Sequence, residues 1–188
     1  MKRLFRRSAA LLGVLFMALL GYLGALHLTG NFHTVSQGTV YRSAQLDGQA
    51  LVRWTREHGI ATVLNLRGEN AGEDWYEAEL AVTERLGLNH IDFRMSAQSE
   101  LAQPEVERLL QVMRDAPKPL LIHCQGGADR TGLAAALYVA GIEGRDEEAA
   151  EAQLSLTYGH IGIPWLSKAW PMNVTWERIE PWLGFPES

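Results

Sequence analysis

Apolar and polar positions divide the chain into three stretches of different texture. Residues 9–28 read AALLGVLFMALLGYLGALHL, twenty positions without Asp, Glu, Lys or Arg. About 20 apolar residues cross a bilayer core as a helix. Residues 29–38 (TGNFHTVSQG) are polar and predict a linker. From residue 39 onward, short apolar runs alternate with amphipathic stretches. Residues 39–43 predict a strand. Asp47 then caps a helix with Leu51, Trp54 and Thr55 at helical spacing and Gly59 as its stop. Residues 60–66 form a compact apolar run suited to a buried strand. A second helix follows over 73–86, with Trp75, Tyr76, Leu80 and Leu86 facing inward and Gly87 ending it. Residues 88–95 predict another strand.

Pro104 fits the first turn of a helix over 104–115, with Val106, Leu109, Leu110 and Met113 on one face. Residues 118–123 are a strand, a helix opens near Arg130 and runs through Leu133, Leu137 and Tyr138, and another spans 146–158. Strands alternating with helices predict an α/β layer fold. The last stretch, 159–188, is rich in Trp (Trp165, Trp170, Trp176, Trp182) and Pro and predicts a packed irregular tail or short helix over the core, with membrane-interface contact by these tryptophans as the alternative.

Charge sharpens the reading of the first stretch. Residues 1–7 carry four Lys or Arg and no acid, and no Lys or Arg follows the apolar run until Arg42. Positive charge stays on the cytoplasmic side, which predicts an anchored chain with its N-terminus inside and its body outside. A cleaved secretory signal is the alternative, although its apolar region is usually ~7–15 residues with a small-x-small cleavage site. The rest of the chain holds 13 basic against 22 acidic residues. That balance argues against nucleic-acid binding, which needs a basic surface. Cys124 is the single cysteine, which excludes a disulfide framework and a cysteine-based zinc site.

The candidate chemistry lies in residues 120–132, LLIHCQGGADRTG. An apolar strand ends at His123, a glycine-containing loop follows, and a helix starts at the far end. Successive backbone N–H groups and the positive end of the helix dipole then converge on one spot, an anion cradle built from Gln125, Gly126, Gly127, Ala128, Asp129 and Arg130. Gly126 and Gly127 permit the tight wrap. Cys124 sits at the mouth, where amides, dipole and Arg130 favour a thiolate nucleophile. Arg130 offers a planar fork to two phosphate oxygens. Thr131 is placed to donate its hydroxyl to the sulfur, and His123 to orient the loop. A buried structural cysteine would leave unexplained the joint occurrence of strand, Cys, Gly-Gly, Arg at the sixth following position and helix start.

His123-Cys124-x-x-Gly127-x-x-Arg130-Thr131-Gly132 resembles the signature of the protein-tyrosine and dual-specificity phosphatase superfamily, and Asp129 before Arg130 is similar to its bacterial and atypical dual-specificity-like branch. Residues 40–45 (VYRSAQ) and 62–67 (TVLNLR) are similar as well. The resemblance covers about residues 39–158. It implies a mostly parallel four- to five-stranded sheet flanked by helices, a phosphocysteine intermediate on Cys124, and neither metal nor cofactor. The chain then divides into a basic cytoplasmic N-terminus (1–8), a transmembrane anchor (9–28), a linker (29–38) and a phosphatase domain (39–188).

The family also implies a general acid that protonates the leaving oxygen. Three carboxylates qualify, in the order Asp129, then Asp92 and Glu100 together. Asp129 lies within the cradle, Asp92 inside the strand read over 88–95, and Glu100 on the loop after it. Arg67 ends a strand near the cradle's rim, where a surface ion pair is its ordinary role; His160 and Lys168 have none assigned. The substrates implied are phosphorylated proteins or, given the anchor, phosphoinositide or lipid-linked phosphates. A catalytically weak phosphate-binding module and a sulfur transferase are the competing readings, and the Cys124/Arg130 pair speaks against both.

Overall fold

The computed structural model describes residues 2–185. Five strands, β1 (His33–Ser36), β2 (Val40–Ser43), β3 (Thr62–Asn65), β4 (Asn89–Asp92) and β5 (Leu120–His123), form one sheet in the order β1-β2-β5-β3-β4. β1 pairs antiparallel with β2, and the other neighbours are parallel. The α/β expectation therefore holds, with five strands, one of them unforeseen. Residues 29–38 are not merely a linker, because β1 lies within them.

β5 is central and its four residues are all buried, as a parallel strand covered on both faces requires. On one face it meets α4 (Gln103–Asp115), α5 (Asp129–Gly141) and α7 (Trp170–Leu183), whose Val106, Leu133, Leu137 and Trp176 belong to the main core. On the other, α2 (Gly48–His58) and α3 (Asp74–Leu86) close a smaller core around Tyr41, Leu51, Val63 and Leu121. Every residue of α5 from Thr131 to Ala140 is buried; Ala134, Ala135 and Ala136 let it lie close against neighbours on all sides.

The predicted stops hold where local chemistry sets them. Asp47 Oδ1 accepts from Ala50 N at 2.7 Å, and Gly59 and Gly87 take the left-handed conformation that ends α2 and α3. Three expectations change. The helix expected over 146–158 is only α6 (Glu147–Glu151) followed by a 3-10 turn, Leu156–Tyr158. The strand expected over 88–95 is only β4. The Trp- and Pro-rich end forms α7, fourteen residues long, with Pro171 in its first turn, where a missing N–H costs nothing. On α3, Tyr76, Glu79, Val82 and Thr83 are the buried positions, while Trp75, Leu80 and Leu86 are half-buried.

The N-terminal helix α1 (Lys2–Leu28) contains an 18-residue apolar window, Leu11–Leu28, of mean hydropathy 2.1, none of which is fully buried. Its last turns touch the domain: Tyr22 OH donates to Thr157 O at 2.6 Å, and Leu23 and Leu26 lie against Gly159.

Candidate active site

The four parallel strands end in one row, with Ser43, His123, Asn65 and Asp92 in register. The crevice beyond such carboxyl ends is where α/β sheets bind ligands, and the 124–130 loop lies there. Its shape follows from what holds its carbonyls. Gln125 O accepts from Gln45 N at 3.2 Å, and Gly126 O from Asn31 Nδ2 at 2.9 Å. Arg42 Nη2 donates to Gly127 O at 2.9 Å and to Ala128 O at 3.4 Å. Four successive carbonyls are thus drawn outward. In a trans peptide the N–H points opposite to its carbonyl, so the amides of residues 126–129 turn into the loop's interior. Among the described residues, none of these four amides donates to a protein acceptor. The N-terminus of α5 adds its dipole to the same spot.

The two loop glycines differ. Gly127 has φ +69°, and a Cβ there would stand 2.5 Å from Ala44 N and 2.6 Å from the Ser43 carbonyl carbon. At Gly126 a Cβ would meet nothing within 4 Å. Only Gly127 is sterically demanded.

A cleft of about 880 Å³ opens over this loop, lined among others by Cys124, Gln125, Gly126, Asp129 and Arg130. Cys124 is 3% exposed and lines the cleft. Arg130 Nη1 leans on the carbonyls of Leu66 (3.4 Å) and Met95 (3.3 Å), while its buried Nε has no partner among the described residues. The Thr131 hydroxyl is also buried and without a partner there, so no bond from it to the sulfur is present. His123 does not reach toward the loop's backbone; its Nε2 lies 3.2 Å from Glu79 Oε1.

The buttress behind the loop went largely unseen in the sequence. Arg42 is completely buried. Besides the two loop carbonyls, it donates through Nη1 to Gln153 O and Oε1, both at 2.9 Å, and its guanidinium lies 3.8 Å from the Tyr158 ring centroid. Burial pushes its pKa down to about 10, against the opposing pull of Tyr158 and Cys124; it stays charged at neutral pH. The one signal for Arg42 was its place in the VYRSAQ segment, and Asn31 had none. Glu79 is the second hidden element. Its Oε1 accepts from His90 Nε2 at 2.9 Å and its Oε2 from Gln45 Nε2 at 2.6 Å. Burial pushes its carboxyl up, but the adjacent His123 imidazole, together with the hydrogen bonds from His90 and Gln45, outweighs that and holds it well below the usual carboxylate range. Arg67 stacks over Trp75 at 3.4 Å and donates to Gln45 Oε1 instead of forming a surface ion pair.

The three candidate acids occupy different places. Asp92 is not among the residues lining the cleft; it accepts from Asn65 Nδ2 at 2.8 Å and from Tyr76 OH at 2.5 Å. Glu100 pairs with Arg178 of α7, also away from the cleft lining. Asp129 lines the cleft, with its side chain 34% exposed. Its Oδ1 lies 2.7 Å from His160 Nδ1, and His160 Nε2 lies 2.8 Å from Asn173 Oδ1. Glu105 also lines the cleft, but its Oε2 accepts from Ala102 N at 3.0 Å as the cap of α4.

The loop's likeness extends to whole structures. A model of the tyrosine phosphatase family matches residues 23–161. TpbA of P. aeruginosa superposes with a TM-score of 0.61 at 23% identity, over 79% of this chain and 84% of that one. A TpbA variant in complex with pTyr gives 0.63 at 21% identity, over 85% and 92%. The catalytic domain of the PP-IP phosphatase SIW14 from S. cerevisiae, in complex with citrate, gives 0.59 at 17% identity, over 82% and 93%. At these identities the superpositions establish the fold. No curated protein matches the chain in sequence. With the family matched across most of its length, the chain belongs to the tyrosine phosphatase family and is a cysteine-based phosphatase.

Proposed function

We propose that the protein hydrolyses phosphomonoesters through a phosphocysteine intermediate on Cys124, with Arg130 as clamp and Asp129 as proton donor. The observation that carries this reading is the outward fastening of four consecutive carbonyls, which leaves four amides facing one bowl beside the sulfur. A tetrahedral dianion placed there meets amide N–H groups, the α5 dipole and a guanidinium, and the charge spread over its equatorial oxygens in the transition state meets the same donors. The Cys124 thiolate attacks phosphorus. The bond to the leaving oxygen breaks, and that oxygen takes its proton from Asp129. Water then attacks the phosphocysteine and gives its proton back to Asp129, the S–P bond breaks, and phosphate leaves with the thiolate restored. Among the candidate acids, Asp129 is favoured because Asp92 and Glu100 are engaged elsewhere. His160 is a positioning residue that holds its carboxyl.

The substrate class is phosphorylated protein or phosphorylated small molecule, in keeping with the pTyr complex of TpbA and the PP-IP phosphatase SIW14. Residues 9–28 form an uncleaved anchor, with the domain on the extracytoplasmic side. Tyr22, Leu23, Leu26 and His27 support retention: they contact the domain or line the cleft, so cleavage at the exit of the apolar run would remove part of the site's wall.

The test is turnover of p-nitrophenyl phosphate by the full chain in detergent with a chelator present. Wild type turns over and is inhibited by vanadate, and Cys124→Ser falls by at least about 10³-fold. Activity that survives Cys124→Ser, or that requires a divalent cation, overturns the mechanism.

A further inference from the structure

Residues 161–166 read Ile-Gly-Ile-Pro-Trp-Leu, with no charged side chain. Ile161, Ile163, Trp165 and Leu166 nevertheless all stand in the open, Trp165 at 98% exposure. A contiguous exposed apolar patch marks a contact surface. The segment is not a loose tail. His160, just before it, is buried and bonded to Asp129 and Asn173. After it, Ser167 N bonds back to Ile163 O at 2.9 Å, and α7 begins at Trp170.

Two neighbours identify what covers this patch. The first is α1. Gly159, two residues before Ile161, packs against Leu23 and Leu26, and Tyr22 is bonded to Thr157. The patch therefore stands at the rim that receives the last turns of the apolar helix. At 1.5 Å of rise per residue, Leu23 lies only about 8 Å along the axis from the helix end at Leu28. A bilayer crossed by α1 reaches that same rim. The second is the cleft. His27 of α1 lines it, and a smaller adjoining cleft of about 340 Å³ runs from Asp129 and Gln98 to Ile161 and Lys168.

We propose that residues 161–166 seat in the interface of the bilayer that α1 crosses, so that the cleft opens against the lipid headgroups and takes a phosphomonoester carried on a lipid headgroup. This rests on the phosphatase and anchor reading above. Trp is the side chain favoured at that depth, with an apolar body and a polar N–H. Leu166 and Ile163 add apolar area at the acyl boundary, and exposed Lys168 meets anionic headgroups. The acidic body, 22 acids against 13 bases outside residues 1–7, gives no general electrostatic attraction to such a surface. The contact therefore depends on the apolar loop and the helix.

The experiment reconstitutes the full chain in phosphatidylcholine vesicles containing a phosphatidylinositol phosphate. Turnover of that lipid is compared with turnover of p-nitrophenyl phosphate, of the soluble inositol phosphate headgroup and of a phosphotyrosine peptide. A Trp165→Ser/Leu166→Ser variant is expected to lose roughly tenfold on the vesicle lipid and to keep wild-type rates on the soluble substrates. Independently of chemistry, tryptophan emission of wild type is expected to be quenched by chain-brominated lipid more than that of Trp165→Phe. Wild-type rates on the vesicle lipid in the double variant, an equal fall on every substrate, or a wild type that takes the peptide and leaves the lipid each overturn the proposal. Equal quenching of wild type and Trp165→Phe overturns the seating. A wild type inert even to p-nitrophenyl phosphate overturns the phosphatase reading instead, and the quenching difference then decides the loop's position by itself.

Discussion

Two loops border the cleft and are held in opposite ways. Residues 124–130 have four consecutive carbonyls fastened by Gln45, Asn31 and Arg42, with the backbone packed onto Ser43 and Ala44 at Gly127. Residues 93–102 are pinned only at their ends. Phe93 and Met95 are buried, Met95 N bonds to Leu66 O, and Leu101 N bonds to Thr175 Oγ1. Between them Ser96, Ala97, Gln98 and Ser99 line the cleft, where Gln98 N donates to Ser96 Oγ, and Glu100 turns away to pair with Arg178. The first loop is preorganised and carries a carboxylate. The second offers no acid to the cleft. Fixed dipoles stabilise charge without reorganising at the moment of reaction, so the chemistry concentrates in the loop whose backbone cannot relax.

The sharpest way to break this contrast is at the two glycines. Gly127→Ala forces a Cβ against the Ala44 and Ser43 backbone and is expected to cost about 2 kcal/mol or more of stability and on the order of 10³-fold in kcat/KM. Gly126→Ala, with open space around it, is expected to stay within about 0.5 kcal/mol of wild type. Thermal unfolding and p-nitrophenyl phosphate kinetics check both; equal effects would mean the carbonyl fastening does not set the loop's shape.

Next in size is the acid. Asp129→Asn is expected to lower kcat by roughly 10²- to 10³-fold and to abolish the alkaline limb of the pH–rate profile, because a proton donor is lost as pH rises. Glu100→Gln keeps both rate and limb, since its partner is Arg178. A limb lost in Glu100→Gln and retained in Asp129→Asn would move the acid to the second loop. Arg42→Lys keeps a charge but not the planar fork that reaches Gln153 and the loop at once. A loss of roughly tenfold in kcat, with KM for phosphate esters raised, is expected; unchanged kinetics would mean the buttress is dispensable.

The smallest effect concerns stability and pH. The Glu79 carboxyl is held below its ordinary value of 4.5 in the folded protein. Its contribution is therefore complete above that ordinary value and is lost as pH falls toward the folded one. Wild type should lose stability from about pH 5 toward pH 2, and Glu79→Gln should follow a flatter course over that span. Parallel urea titrations of the two would show that the Glu79 contacts carry no pH-linked stability.

Much of the frame was legible because its signals are local. The run LLIH, the two glycines, the Arg and the helix start are neighbours in sequence, and so are Asp47 with Ala50 and Leu109 with Val106 and Met113. α7 was obscured by its prolines, although Pro171 stands in a first turn where proline is tolerated. β1 was obscured by polarity: it is an edge strand, and its register with β2 depends on pairing that composition does not show.

By itself the sequence determined the strand–loop–helix pattern around Cys124 and Arg130, and an apolar helix at the start, since each follows from residues within one or two turns of one another. Which carboxylate meets the cleft, and what holds the cradle open, was decided only by tertiary structure. Asn31, Arg42 and His160 lie far from the loop along the chain and reach it by folding, with Gln153 holding Arg42 and Asn173 meeting His160. Hydrogen bonds across such separations leave no periodicity to read: a buried charge is distinguished from a solvated one only by the partners that the fold brings to it.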